Sequence, residues 1–519
     1  MTKTGIWIGL FCSITISLPA FAQYASDAFR YSEINQTGSA RFQGIGGNHA
    51  SLGGDASSIS GNPAGLGFYS RSEVSFSPSV TNFGTKSTYI DNSTSDSKSN
   101  FNIAQASLVI TSQPSFQRKW KRSSLGISYS RQQSFQNRFS YSGLNNRSAY
   151  VDKVVDNANN ANLAQSTLQQ DYLPGTSTEL PLAYSEAAAY YGMQYIYPTS
   201  NAGPPYGRDD RNSSSNQSGV FDSKGGNTQW TVAYAGNYDD KLYVGGSIGF
   251  TRIKYDYAHS FTDTFNNPTV FRSATQNEEL SVSGNGINAT FGIIYKVSPT
   301  LQFGGALTSP SFTAIKETFT QSLQADYIRG SIRDDNGNEA GPLEDYIPVA
   351  PNDFEYSITS PLRGSVGATV FLSNKGFLTG SLEYIGYGGM RVRTKFYSSS
   401  ADNNAFRDDY KDEIKDTYKG AVNARLGGEY RAGIWRGRLG LAYLSDPYKF
   451  DSDDIKRDKL LFSLGAGVRN SRFFADISGT YNAFKTIYTP YVLNNAADYA
   501  SAKINNNTVN VVLSIGTFF

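Results

Sequence analysis

Apolar and polar residues alternate along several stretches of this chain. Between Thr508 and Phe519, Val509, Val511, Leu513, Ile515 and Phe519 fall on one side of an extended backbone, and Asn510, Ser514 and Gly516 on the other. Side chains change face at every residue of a strand, so this pattern predicts a strand that is apolar on one face and polar on the other. The pattern recurs. Val422, Ala424, Leu426 and Tyr430 oppose Asn423, Arg425 and Glu429, while Leu460, Phe462, Leu464, Ala466 and Val468 oppose Ser463, Gly465 and Gly467. Ile287, Ala289, Phe291, Ile293 and Tyr295 oppose Asn288, Thr290, Gly292 and Lys296, and Trp230, Val232 and Tyr234 oppose Gln229 and Thr231. A slip of one residue would carry charges such as Arg425 onto the apolar face, so register is strongly specified.

On this basis the chain divides into about 14 strands. They begin near Glu73, Asn102, Ser124, Thr228, Lys241, Leu280, Thr300, Leu362, Gly376, Tyr418, Arg436, Lys459, Arg472 and Thr508. Short links at Asn237–Asp240, Val297–Pro299, Ser373–Lys375, Ala432–Trp435 and Asn470–Ser471 alternate with long ones. The long links are Tyr141–Asn227, Tyr255–Glu279, Gln321–Pro361, Tyr397–Thr417 and Phe484–Asn507. This rhythm predicts an all-β fold, a transmembrane antiparallel barrel of the bacterial outer membrane with its short turns periplasmic, in which an even count returns both termini to that side. Composition agrees. No run of 18 apolar residues follows the N-terminal segment, so spanning helices are excluded, while 35 Tyr, 32 Phe and 50 Gly suit a barrel with aromatic girdles.

The first 22 or so residues read as a secretory signal peptide: Lys3, an apolar core from Ile6 to Leu18, and Ala20-Phe21-Ala22 ahead of Gln23. Phe11 before Cys12 argues against a lipoprotein, so Cys12 leaves with the leader and the mature chain (from residue 23) has no thiol. No disulfide or thiolate metal site is then expected. A net charge of +2 implies no nucleic-acid partner.

Two segments depart from the strand rhythm, and function is expected there. Gln23–Ser72 is rich in Gly and Ser with scattered Phe29, Tyr31, Phe42, Ile45, Leu52, Ile59 and Leu66. It is expected to fold back into the barrel as a plug ahead of a barrel domain from 73 to 519. The loop Tyr141–Asn227 contains two stretches of helical composition, Val151–Gln170 and Leu180–Gln194. They suit either a grip for an apolar ligand or a structural lid.

Ser39–Tyr69, with Asp55-Ala56 and Asn62-Pro63-Ala64, resembles the hatch of FadL-type outer-membrane transporters. Gly284–Gly304 running into Thr308-Ser309-Pro310, and Gly376–Tyr387, are similar to further segments of that family. The resemblance, to a Bacteroidetes-like member, covers essentially the whole mature chain. It implies a 14-stranded barrel stoppered by its leading segment and uptake of hydrophobic molecules such as long-chain fatty acids or aromatic hydrocarbons. Ligand capture between loops, passage beside the hatch and release through a gap at a kinked third strand are also implied. The candidate ligand and gating residues are Phe29, Tyr31, Phe42, Asn62, Pro63 and Ala64, with Arg131, Ser134 and Phe135 at the expected kink. Arg131-Gln132-Gln133-Ser134 is polar on both faces, which disfavours an ordinary lipid-facing ladder. Glycines 44, 46, 47, 53 and 54 are expected to let a loosely held hatch shift, with Asn62-Pro63 a fixed point. The expected partners are a hydrophobic small molecule (fatty acid, hydrocarbon or detergent) and membrane lipid, with the protein acting as a monomer and without cofactor or metal.

Other motifs read as structural. Gly245-Gly-Ser-Ile-Gly249 has the spacing of a hydrolase nucleophile but lies mid-strand, and His49 and His259 are the only histidines. Together these disfavour an enzyme. Asp334–Glu339 lacks the glycine offset of a calcium loop, and Asp451, Asp453 and Asp454 read as a solvated loop. His49 reads as a hydrogen-bonding residue rather than a haem ligand. Arg425 and Arg438 are expected to pair inside the barrel. The alternative function is a FadL-like barrel that serves secretion, holding a protein cargo or partner through its loops.

Overall fold

The computed structural model describes residues 21–34, 38–112, 119–172, 182–200, 203–209, 214–332, 336–339, 346–449 and 455–519. The first 20 residues of the expected signal peptide, part of the stretch around Asp334, and Asp451, Asp453 and Asp454 lie outside the described residues.

Antiparallel strands close into one ring. β1 (Glu73–Tyr89), β2 (Asn92–Ser112) and β3 (Trp120–Ser134, resuming over Asn137–Asn145) are followed by β4 (Ser215–Tyr238), β5 (Leu242–Phe265) and β6 (Phe271–Lys296). Three strands are interrupted once each: β7 (Leu301–Thr308, Phe312–Tyr327), β8 (Tyr346–Thr359, Arg363–Phe371) and β9 (Gly376–Gly386, Arg391–Thr394). β10 (Gly420–Ala432), β11 (Trp435–Leu444), β12 (Lys459–Arg469), β13 (Phe473–Tyr488) and β14 (Ala502–Phe518) complete the wall. β14 pairs with β1 from Glu73↔Phe518 to Thr88↔Lys503, which closes the barrel at fourteen strands and leaves no free pair of edges there. Reciprocal bonds between the backbones of Ser72 and Phe519 bring the two ends of the barrel chain together at the short-turn rim.

The outward face is the one the alternation predicts. Val509, Val511, Leu513, Ile515, Val422, Leu426, Tyr430, Leu460, Phe462, Leu464, Trp230, Val232 and Tyr234 are all exposed. In a closed barrel such a band is the lipid contact, so the protein is an outer-membrane β-barrel. No described helix is long and apolar enough to cross a membrane.

The strands run further than expected on the long-loop side. β4, β5 and β6 span 24, 24 and 26 residues, against about 10 needed to cross the hydrocarbon layer. Tyr255–Phe265, Phe271–Glu279, Gln321–Tyr327 and Tyr346–Thr359 are therefore strand where loop was expected. Outside the hydrocarbon their outward positions carry polar groups such as Arg252, Lys254 and Ser281, so the period-two signal that marks a lipid-facing strand is lost.

Three helices, α3 (Tyr150–Asn160), α4 (Gln165–Tyr172) and α5 (Leu182–Gly192), lie in the longest loop. The first and last pack on the extended tops of the wall through Tyr150, Val154, Ala188, Tyr190 and Phe261. A fourth loop helix, α6 (Ser400–Thr417), was not expected. Its 18 residues bury only Phe406, Tyr410 and Ile414, an i, i+4, i+8 stripe too narrow to stand out in an acidic sequence.

The segment ahead of β1 meets inward-facing groups of the wall. It holds α1 (Phe21–Ser32), α2 (Ala40–Gly44) and two 3₁₀ turns, Ala56–Ile59 and Pro63–Phe68. The side chains of Ser39, Asp55 and Asn62 cap the last three of these. The expectation of few strong contacts is not met. Arg41 Nε lies 3.2 Å from Glu429, which also pairs with Arg438 at 2.8 Å, and Arg438 reaches Asp476 at 2.6 Å. All four side chains are almost wholly buried, and their charges cancel. Gly44 and Gly46 touch the wall rather than swing free: a Cβ on Gly46 would lie 3.0 Å from the carbonyl of Leu426.

Candidate functional site: an aromatic chamber at the break in β3

β3 loses its ladder twice. Its pairing with β2 ends at Gln105↔Ser130, and its pairing with β4 shifts between Arg131 and Gln133 and stops at Ser134↔Gly226. Pairing with β4 resumes at Asn137↔Ser223. Some of the backbone groups freed at the break find local partners. Gly225 accepts from Phe135 N at 3.1 Å and from Arg131 Nη2 at 2.6 Å, and Ser223 Oγ donates to the Phe135 carbonyl at 2.8 Å. Gly225 has φ of 112°, and a Cβ there would sit 2.0 Å from the Lys254 carbonyl, so only glycine permits this bend.

Beyond the break, β3 has no ladder with β2. Side chains bridge the seam: the Asp96 carboxylate accepts from Ser140 N at 2.7 Å and Ser140 Oγ at 2.6 Å, and Thr85 Oγ1 of β1 donates to the Arg138 carbonyl at 2.7 Å. The edge of β2 near Phe101 and Ile103, both exposed in the apolar band, is thus left without a strand partner.

A cavity of about 350 Å³ opens beside this break. Phe83, Phe135, Phe139, Phe221, Tyr255, Phe484, Tyr488 and Ile504 give it apolar walls, and Arg30, Glu33 and Lys459 lie at one side. Phe139 stacks on Phe221 with ring centres 5.0 Å apart and meets Tyr488 at 5.1 Å. Its cations are already engaged. Lys459 pairs with Glu33 and sits 4.7 Å from the Phe484 ring centre; Arg30 pairs with Asp27 and lies 4.8 Å from the Tyr255 ring centre. The amides of Gln133, Asn137, Asn482 and Asn506 line the remainder, so the rings offer an apolar solute one wall of a mixed chamber. The aromatic lining runs on without a gap into the cluster of Tyr141, Phe261 and Tyr491 under the loop helices.

A second cavity, about 130 Å³, lies deeper and is polar. His49, Gln132, Gln229, Asn288, Arg363, Glu383 and Arg425 line it, with Arg425 and Glu383 paired at 2.8 Å. His49 stacks on Phe42 at 3.5 Å, and a Cβ on Gly61 would meet its Nδ1 at 2.4 Å, so both ring faces are occupied.

The sequence-derived candidates fall in four places. Arg131, Ser134 and Phe135 are at the break, and Tyr31 meets Phe135 edge-on at 5.7 Å. Phe29 instead stacks on Tyr418 at 5.1 Å in the cluster beneath α6, and Phe42 lines the polar cavity. Asn62, Pro63 and Ala64 press on β5, β6 and β7. Asn62 Nδ2 donates to the carbonyls of Ala50 (2.7 Å) and Gly305 (3.1 Å), and Gly245 backs onto Pro63. Phe139, Phe221, Tyr255, Phe484 and Tyr488 were not singled out. Inward aromatics at alternate positions, Tyr255 and Tyr257 on to Phe261, were the available signal.

No family model matches the sequence, and no curated protein sequence does either. Solved structures do match over nearly the whole chain. The P. putida toluene transporter TodX aligns with 93% of this chain and 99% of its own, at 11% identity and a TM-score of 0.51. A Pseudomonas aeruginosa FadL homologue aligns with 94% and 99%, at 13% identity and a TM-score of 0.53. At such identities the likeness is one of fold. The fold of this chain is that of the FadL-type outer-membrane barrels.

Proposed function

We propose that this barrel takes up hydrophobic small molecules, long-chain fatty acids or aromatic hydrocarbons, across the outer membrane. The observation that carries the reading is the aromatic chamber set against the break in β3. A solute with no polar groups gains little from a water-filled pore, whereas a ring-lined cavity shields it from water. Capture begins among the loop helices, the chamber holds the ligand, and release runs sideways through the seam between β2 and β3, where the wall lacks a ladder at the depth of the apolar band. Lipid-exposed backbone without partners is costly, so an unladdered edge at that depth suits an opening that a ligand or protein groups can fill. Residues 23–72 act as a hatch, anchored at Arg41 and Asn62, and their displacement opens the deeper polar cavity. The two neighbours named above, a toluene transporter and a FadL homologue, support the same class of cargo.

The test is binding and uptake by variants of the chamber. Phe221→Ala and Tyr488→Ala remove facing rings without touching the hatch, and should weaken binding of a radiolabelled long-chain fatty acid or toluene by roughly tenfold each, as loss of a buried aromatic contact does. Unchanged binding and uptake in both variants would refute the chamber as the ligand site.

A further inference from the structure

The outer wall changes character above the apolar band on one side of the barrel. Along β14, Ile515, Leu513, Val511 and Val509 face lipid, and Phe519 marks the lower rim. Phe519 and Val509 are ten positions apart, which is about 33 Å of strand and, at a tilt of about 40°, about 25 Å of height, the thickness of the band itself. The next outward positions are Asn507, Asn505 and Lys503, all exposed. Register places Lys86 of β1 and Lys485 of β13 directly on either side of Asn505, and Thr88 and Ile487 on either side of Lys503. Three lysines on three adjacent strands therefore share one patch, Lys86 and Lys485 about 10 Å apart. The row of Asn505 stands about 10 Å above Val509, at headgroup depth.

Nothing acidic answers them. None of the three lysines has an ion pair among the described residues, and the outward face of β13, β14, β1 and β2 carries no carboxylate. The neighbours are Asn82, Asn507 and the outward serines 93, 95, 97 and 99. On the opposite wall, Lys254 pairs with Asp256 at 3.0 Å and Lys316 pairs with Glu355. Three like charges held on a rigid sheet repel one another unless an anion sits among them.

We propose that Lys86, Lys485 and Lys503 form a docking site for the phosphate groups of lipopolysaccharide in the outer leaflet, with acyl chains lying on Val80, Val509, Val511 and Tyr481 below. Lipid A carries its phosphates at the interface, where an exposed ammonium gains most from an anionic headgroup. The amides and hydroxyls around the lysines supply hydrogen bonds to the sugar backbone. The inference is independent of the transported cargo. It also sets an ordered lipid beside β2, the strand that borders the seam.

The experiment is native mass spectrometry of the full mature protein in detergent, titrated with bisphosphoryl lipid A, phosphate-free lipid A and phosphatidylglycerol. The variants are K86Q/K485Q/K503Q and, on the opposite wall, K254Q/K316Q. All five side chains point outward, and heat-modifiable gel mobility checks that each barrel is closed. The triple variant should lose affinity for bisphosphoryl lipid A on the order of a hundredfold, while the opposite-wall pair changes it by less than about threefold. The wild type should bind phosphate-free lipid A no better than the triple variant does. Wild-type affinity in the triple variant overturns the proposal. So does equal binding of phosphate-free lipid A, and so does equal binding of phosphatidylglycerol, which would make the patch a general phospholipid contact.

Discussion

Gly292→Ala is the sharpest perturbation the structure offers for the leading segment. A methyl group at Gly292 would lie 1.9 Å from Asn62 Oδ1 and 3.0 Å from Pro63 Cδ, so the Asn62 carboxamide must leave its place. That side chain is wholly buried. Its Oδ1 accepts from Ala64 N at 3.1 Å, and its Nδ2 donates to the carbonyls of Ala50 at 2.7 Å and Gly305 at 3.1 Å. Leaving three buried partners unmet costs about 1 kcal/mol each at the low end, or about 3 kcal/mol in all. Because each 1.4 kcal/mol is a factor of ten, local opening of the segment should rise roughly a hundredfold. Hydrogen exchange followed by mass spectrometry reads this directly: peptides from Ser39 to Tyr69 should exchange faster while those of β10 to β14 do not. Asn62→Ala loses the same bonds without the clash and should have a similar effect. In the Asn62→Ala background, Gly292→Ala should add little, because the space its methyl needs is already empty. The reasoning is refuted if both single variants leave exchange of the segment unchanged, or if the two effects simply add.

Further predictions follow from the same contacts. Arg438→Met removes the partner that Asp476 and Glu429 share inside the wall, and should destabilise the barrel by about 3–5 kcal/mol in thermal unfolding, since it strands buried carboxylates. Burial on the half-covered α6 raises the Glu413 carboxyl from its usual range to about 7. A raised carboxyl pKa stabilises docking at low pH, and the benefit is lost as pH climbs from about 4.5 through about 7. Exchange of α6 amides should therefore speed up across that interval, and Glu413→Gln should abolish the pH dependence. An α6 whose exchange is flat in pH after correction for the intrinsic rate would contradict this.

The sequence reported the membrane-embedded half of each strand well and the remainder poorly, for one reason. Where lipid contacts the wall, every outward position must be apolar, so Val422, Leu426 and Tyr430 announce a strand and its register together. Above the lipid both faces tolerate polar groups. Ser215 to Asn227 in β4 reads as loop, although the backbone ladder continues through it, and β2 begins at Asn92, ten residues before the expected start near Asn102. The site followed the same rule. Polarity on both faces from Arg131 to Ser134 marked the break in β3, because a lipid-facing strand cannot carry it. Phe139, Phe221 and Tyr488 meet from three distant stretches of chain, and no local pattern brings them together. Phe29 and Phe42 were chosen as apolar residues in a candidate hatch, yet each has its ring occupied by a neighbour, Tyr418 and His49.

Displacement of the leading segment is part of the proposed uptake route, and locking that segment to the wall tests it most directly. The hydroxyls of Ser51 and Thr369 are 2.8 Å apart, one on that segment and one on β8, so cysteines at both positions are placed to close a disulfide. Cys12 is the one cysteine of the sequence, and Cys12→Ser in the same background leaves the pair as its sole thiols. Uptake of a labelled fatty acid by cells carrying S51C/T369C should stop when the pair is oxidised and return on reduction. Equal uptake in the two states, with the cross-link verified, would contradict the account.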